Sequence, residues 1–415
     1  MRSSDEEQAL IFATGDIIVD EPNPYSFFAP SKHLLSIGDF VVGQIEVPHT
    51  DRGESSSTDI PAPPAPPENL EPLKACGFNL CSTCGNHAHD NGVPGIVDTL
   101  DILHKLGIAT TGTGINLQSA KKPAIVEKKG IRVGLIGYNA VGPREGWATS
   151  HKAGVSYVEI LTHHEPSPRA TPGLPAKVYT FPEPDSLRQM QNEICDLRTK
   201  CDILLVALHK GMVHTHAEIQ MYERPLAQAA IDAGADLVVG HHPHVLQGME
   251  VYNGRTIFYS LGSFCDGVNM YPDDMDTVIF QPTFTFSAGK ELTQTTNSII
   301  PCTISSDSTF NNYQPTPAED SEKTRIEEKV KELSNQIGNS ISGDNSDANS
   351  TSDSANTTDS NSTSGSDGNT TASSESETSS ESETSSETSS DGSSSDSSNN
   401  SASDGNDSTK LFLPE

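Results

Sequence analysis

Residues 342–410 contain no Val, Ile, Leu, Met, Phe, Tyr or Trp. A stretch of that length without large apolar side chains cannot bury enough surface to offset its chain entropy, so it is expected to be disordered. The folded body must come from about residues 1–335, with a tail over 336–415. That leaves enough chain for a substantial core. The charge divides at the same place. From Ile337 onward there are 15 acids against one base, and the rest carries 42 acids against 25 bases, a net of −17. An acidic body argues against nucleic-acid or anionic-membrane partners, which need basic surface. An anionic substrate would require local positive charge, which a metal site supplies.

No window approaches the roughly 18 consecutive apolar residues of a membrane span. The opening MRSSDEEQALIFATGD is acidic where a signal peptide is basic, so the expected location is cytoplasmic. Seven cysteines, an odd number in a chain too large to need stapling, read as reduced thiols.

Short apolar runs predict strands at 9–14, 39–46, 78–84, 131–138, 202–209 and 236–240. Helical periodicity lies between them, at 27–37, 92–107, 185–200 and 218–233. Asn253-Gly254 between β-forming runs predicts a hairpin within 248–264. Late strands are expected at 276–286 and 298–304, and a charged helix at 318–337. The proline-rich 50–68 and the Pro/Gly-containing 141–184 read as insertions, the second irregular. Strand–helix repeats followed by antiparallel strands imply an α/β body with a mixed sheet.

Polar residues recur where apolar strands end. Asp16 follows the first, Glu46 ends the second and Asn86-His87 follow the third. His209 ends the 202–209 strand, and His241, His242 and His244 follow 236–240. Strand ends converge on one crevice in open α/β sheets. Carboxylates, an amide oxygen and imidazoles are suitable ligands there for Mn, Fe or Zn. In an extended segment, His242-Pro243-His244 would point both rings to one side. Each donor alone has a plainer reading as a cap, a surface charge or a core histidine. Their co-occurrence at five strand ends carries the functional reading. Cys81-x-x-Cys84 has no partner CxxC and reads as buried strand. His163, His164, His214 and His216 read as loop histidines. Asp90 reads as a helix anchor or as a group orienting His87.

The segments TGD (14–16), GQIEVPHT (43–50), CGNHAHDNG (84–92), ALHKG (207–211) and DAGADLVVGHHPHVLQGMEVYNGRTIFYSLGSF (232–264) resemble the CapA family of bacterial capsule-synthesis proteins. That family is linked to poly-γ-glutamate and belongs to the calcineurin-like metallophosphoesterase superfamily. The resemblance implies a four-layer α/β/β/α sandwich with a two-metal crevice. Asp16, Glu46, Asn86, His209, His242 and His244 would hold two divalent ions, with Glu46 bridging. His87 would be the general acid, tuned by Asp90. Lys210, where the family often has Trp, and His241 would contact substrate. The superfamily's usual Asp-x-His opening is absent, since Ile17 and Ile18 follow Asp16.

Three functions fit that resemblance. The first is a metal-dependent, phosphoesterase-type hydrolase in capsule polymer biosynthesis or export, acting on an anionic polymer or a phosphorylated small molecule. The second is a non-catalytic scaffold partnering the subunits of a polyglutamate synthase. The third is a stand-alone small-molecule phosphatase.

Overall fold

Alternation along the strands sorts most of the apolar side chains into three large cores. In the first strand, Glu7–Ile18, Ile11 and Ala13 face one way and Phe12 the other. In Ile203–His209, Leu205 and Ala207 oppose Leu204, Val206 and Leu208. The computed structural model describes residues 7–344 apart from 56–61, 167–174, 217, 267–273 and 308, with side chains through 338. The tail expected to be disordered lies, beyond residue 344, outside the described residues.

Two sheets result. In the larger, strands run in the order Thr316–Pro317, Leu292–Thr303, Asp276–Phe286, Glu7–Ile18, Phe40–Ile45, Leu80–Ser82 and Ala109–Thr111, with Ser263–Asp266 also pairing the first strand. The other runs Met249–Tyr252, Arg255–Phe258, Leu237–His241, Ile203–His209, Ile131–Asn139 and Ala124–Lys128. The facing sides pack Ile11, Ala13, Val42 and Leu80 with Leu135, Leu205, Leu237 and Val239. Helices Pro184–Arg198 and Glu223–Asp232 cover the outer face of the second sheet through Ile194 and Leu226. Phe27, Leu35, Leu73 and Leu103 cover the outer face of the first. This is the α/β/β/α sandwich. Each fully buried aliphatic or Phe side chain in it contributes roughly 1.5–3 kcal/mol.

The first strand changes partners along its length. Glu7 to Ala13 pairs antiparallel with Asp276–Phe286, and Asp16 to Ile18 pairs parallel with Ser263–Asp266. Register slips at the changeover, on both sides of Asp16. Gly15 is required there, because a Cβ would lie 1.9 Å from the Gly262 carbonyl oxygen.

Several elements differ from expectation. The helix expected over 27–37 is two short helices, Pro24–Phe27 and Lys32–Leu35, the strand expected at 298–304 is Leu292–Thr303, and Ala124–Lys128 adds an unexpected strand. Within 141–184, Ile160–Glu165 and Lys177–Pro182 form an antiparallel pair. Most of its residues are exposed or half-buried, so no buried face imposed an alternation to read. The last helix, Asp320–Asp344, runs beyond residue 335. It buries Ile326, Val330 and Leu333 in the inter-sheet core, and Ile337 extends that stripe by another turn. No helix among the described residues is long and apolar enough to cross a membrane.

Candidate metal centre

The parallel strands of both sheets end along one crevice. Asp16 sits at the register slip of the first strand, and Glu46 follows Phe40–Ile45. Asn86 and His87 lie in the 3₁₀ turn Asn86–His89, beyond Leu80–Ser82. His209 and His241 end adjacent parallel strands and pair in register. Gly85 lets the turn come close, since a Cβ there would lie 3.0 Å from Glu46 Oε2.

Asp16, Glu46 and His209 have zero exposure. His209 Nε2 lies 3.4 Å from Glu46 Oε1 and 2.8 Å from Asn86 Oδ1. His244 Nε2 lies 3.9 Å from the same Glu46 oxygen. Asp16 Oδ2 accepts the His242 backbone N–H at 3.0 Å. Potential ligand atoms of Asp16, Glu46 and His209 lie within 4.8 Å of one another, and so do those of Glu46, His242 and His244. Glu46 belongs to both trios.

Six buried atoms in this crevice have no hydrogen-bond partner: Asp16 Oδ1, both Glu46 oxygens, and Nδ1 of His209, His241 and His242. An unmade buried hydrogen bond costs about 1–3 kcal/mol, and such a cluster calls for an ion or water. Carboxylate oxygens beside imidazole nitrogens suit a Mn, Fe or Zn ion, so the residues fit the group. Electrostatics agree. Burial alone would raise Glu46, but the His209 imidazole beside it holds it at about 2 despite repulsion from Asp16. Burial likewise opposes ionisation of Asp16, and the imidazoles around it, His241 first and then His244 and His209, outweigh it to bring Asp16 well below the usual range. Burial, with His209 and His244 nearby, pushes His242 well below an ordinary imidazole, leaving it neutral for ligation.

The rings of His242 and His244 are 6.2 Å apart, but not through strand alternation. Both residues take positive φ, 93° and 56°, in a bend around Pro243. Non-glycine residues in that region carry strain of about 1–3 kcal/mol each, held here by the Asp16 hydrogen bond. His87 Nδ1 donates to Asp90 Oδ2 at 2.8 Å, and Asp90 also accepts the Ala62 N–H at 2.9 Å. The expected pair is thus in contact, on the more open side of the crevice.

Lys210 is not brought there. It follows His209 on the strand and points to the opposite face, fully buried. Its Nζ donates to Glu223 Oε2 at 2.6 Å and to the Tyr259 carbonyl at 3.2 Å. A cation already neutralised in the core offers nothing to a substrate. His241 is also buried, with Nδ1 3.4 Å from Asp16 Oδ1, so it supports the carboxylate rather than lining the opening. Cys81 and Cys84 are buried, and burial pushes both thiols up to about 12. His163 and His164 lie on the outlying hairpin. His214, read as a loop residue, donates its N–H to the Pro243 carbonyl at 2.8 Å, and its ring is 6.4 Å from that of His244. Ser263 and Asp266 were missed. They lie on their own short strand, Ser263–Asp266, inside and just beyond the segment read as a hairpin, so the strand-end rule did not reach them.

The chain matches the family described as bacterial capsule synthesis protein PGA_cap over residues 10–268. It belongs to that family. This PGA_cap chain is 32% identical over 250 residues to the PGA biosynthesis protein CapA of Bacillus subtilis, covering 60% of this chain and 58% of that one. It is 30% identical over 198 residues to the capsule biosynthesis protein CapA of Bacillus anthracis, covering 48% and 42%. A probable polyglutamine synthesis accessory protein of Mycobacterium tuberculosis is 28% identical over 204 residues, 48% of each chain. The PGA_cap chain thus spans about half the length of the curated relatives it matches. Among solved structures, a phosphatase from Mycoplasma pneumoniae aligns at 14% identity and a TM-score of 0.40, over 71% of this chain and 94% of that one.

Proposed function

We propose that this PGA_cap chain is a metal-dependent hydrolase of the phosphoesterase type, working in the biosynthesis or export of a capsule polymer. The relatives' names speak of PGA, capsule and polyglutamine synthesis, and we take poly-γ-glutamate as the polymer. One observation carries the reading: both Glu46 carboxylate oxygens and four further buried atoms of the crevice, on Asp16, His209, His241 and His242, lack a hydrogen-bond partner. Asp16 and His209, with Asn86 beside them, would hold one divalent ion on one side of Glu46. His242 and His244 would hold the second on the other. Bound there, such ions polarise phosphoryl oxygens and lower the pKa of a coordinated water.

The chain's own residues do the rest. Asp16 and Glu46 stay ionised, so they balance cationic charge without a proton. Asp90 orients the His87 ring by accepting from Nδ1, and the His87 Nε2 would deliver a proton to the departing oxygen. The Ala62 N–H holds Asp90 in place, giving the proline-rich segment a part in positioning the acid.

The test is direct. Elemental analysis of protein purified without added metal should find Mn, Fe or Zn, and an aryl phosphate should be hydrolysed with added Mn²⁺. His242→Ala should lose metal and activity together. His87→Ala should keep its metal and lose roughly 10²–10⁴-fold in rate. A metal-loaded parent that cleaves neither aryl phosphate nor polymer rejects the hydrolase reading and leaves the scaffold of a polyglutamate synthase. Rapid turnover of small phosphates with no effect of the polymer would instead mark a stand-alone phosphatase.

A further inference from the structure

Ser263 and Asp266 lie on the short strand beside the end of the first strand, with Ser263 opposite Asp16 and Asp266 opposite Ile18. Both are buried, at 2% and 8% exposure. Ser263 Oγ lies 2.9 Å from Asp266 Oδ2 and 3.1 Å from His244 Nδ1. The Asp266 backbone carbonyl accepts from Asn311 Nδ2 at 2.8 Å, which fixes the strand end.

These contacts determine where the protons sit. With Asp266 ionised its carboxylate only accepts, so the single hydroxyl proton of Ser263 goes to Asp266. The Ser263 oxygen can then only accept from His244, and Nδ1 must carry a hydrogen. Asp16 Oδ2, 3.7 Å from the same nitrogen, favours the same arrangement. In a neutral imidazole the lone pair is then on Nε2, the nitrogen that faces Glu46. We propose that Asp266, acting through Ser263, is a positioning residue that locks His244 in its Nδ1–H tautomer and so presents Nε2 to a cation shared with Glu46 and His242. The last clause rests on the metal reading of the crevice; the tautomer does not.

Nitrogen NMR of ¹⁵N-histidine-labelled, chelator-stripped full-length protein separates the two. His244 signals are identified by their loss in His244→Gln. The parent should show His244 with a protonated Nδ1 and a bare Nε2. Ser263→Ala and Asp266→Asn should each shift His244 toward a mixture of tautomers. By calorimetric titration they should weaken Zn²⁺ or Mn²⁺ binding by 10–100-fold, the usual cost of losing such an orienting partner. Ser263→Thr, which keeps the hydroxyl, should restore both properties. A parent with the proton on Nε2, a tautomer indifferent to both substitutions, or a shifted tautomer with unchanged metal affinity overturns the proposal. A parent that binds neither ion refutes the metal reading, while the metal-free spectra still decide the Asp266–Ser263 link.

Discussion

Single residues here hold charge states that water would not allow. His49 is fully buried. Its Nδ1 donates to the Pro66 carbonyl at 3.1 Å and its Nε2 has no partner. Burial lowers it to about 4 from 6.5. The unfolded chain takes up that proton near 6.5 and the folded chain only near 4, so the folded state binds fewer protons between them. Stability therefore falls as pH drops through this window, by at most about 3 kcal/mol. Urea midpoints measured across it should decline in the parent, and His49→Gln should have a flatter profile; an unchanged slope would refute the assignment. The strand-end donors were legible because each ends an apolar run. The positive φ of His242 and His244 was not, because sequence signals that conformation through glycine or asparagine and here histidine adopts it. Nor was the burial of Lys210 legible, since its partner Glu223 is brought to it only by packing.

Elements are tied to the site by such packing. The Lys210–Glu223 pair joins the strand that ends in His209 to the helix Glu223–Asp232, with both side chains at zero exposure. Removing one partner strands a buried charge, at a cost of about 3–5 kcal/mol. Lys210→Met or Glu223→Leu alone should therefore destabilise by that amount in denaturant melts. The double substitution should recover most of it, and equal losses in all three variants would show that the pair has no such coupling. Strands and helices with a buried face were legible from their periods, as in Asp276–Phe286 and Pro184–Arg198. The exposed hairpin of Ile160–Glu165 with Lys177–Pro182 had no such face and gave no signal.

At the scale of the chain, composition and packing divide the protein near the end of the last helix. Ile326, Val330 and Leu333 close the inter-sheet core, whereas residues 345–410 offer no large apolar group. Removing 345–415 should leave the thermal midpoint and metal content unchanged. Removing 320–415 should expose that core and send the protein into aggregates, detectable by light scattering; a soluble, unchanged product would contradict the packing.

The change of partners along Glu7–Ile18 bears on how the protein is made. The strand Glu7–Ile18 finds neighbours at residues 263–266 and 276–286, which are synthesised long after it. Until they arrive, Phe12 and Ile17 have no sheet to complete on that side, and the nascent chain carries an open β edge through most of translation. Maturation should thus be slow and sensitive to holding factors.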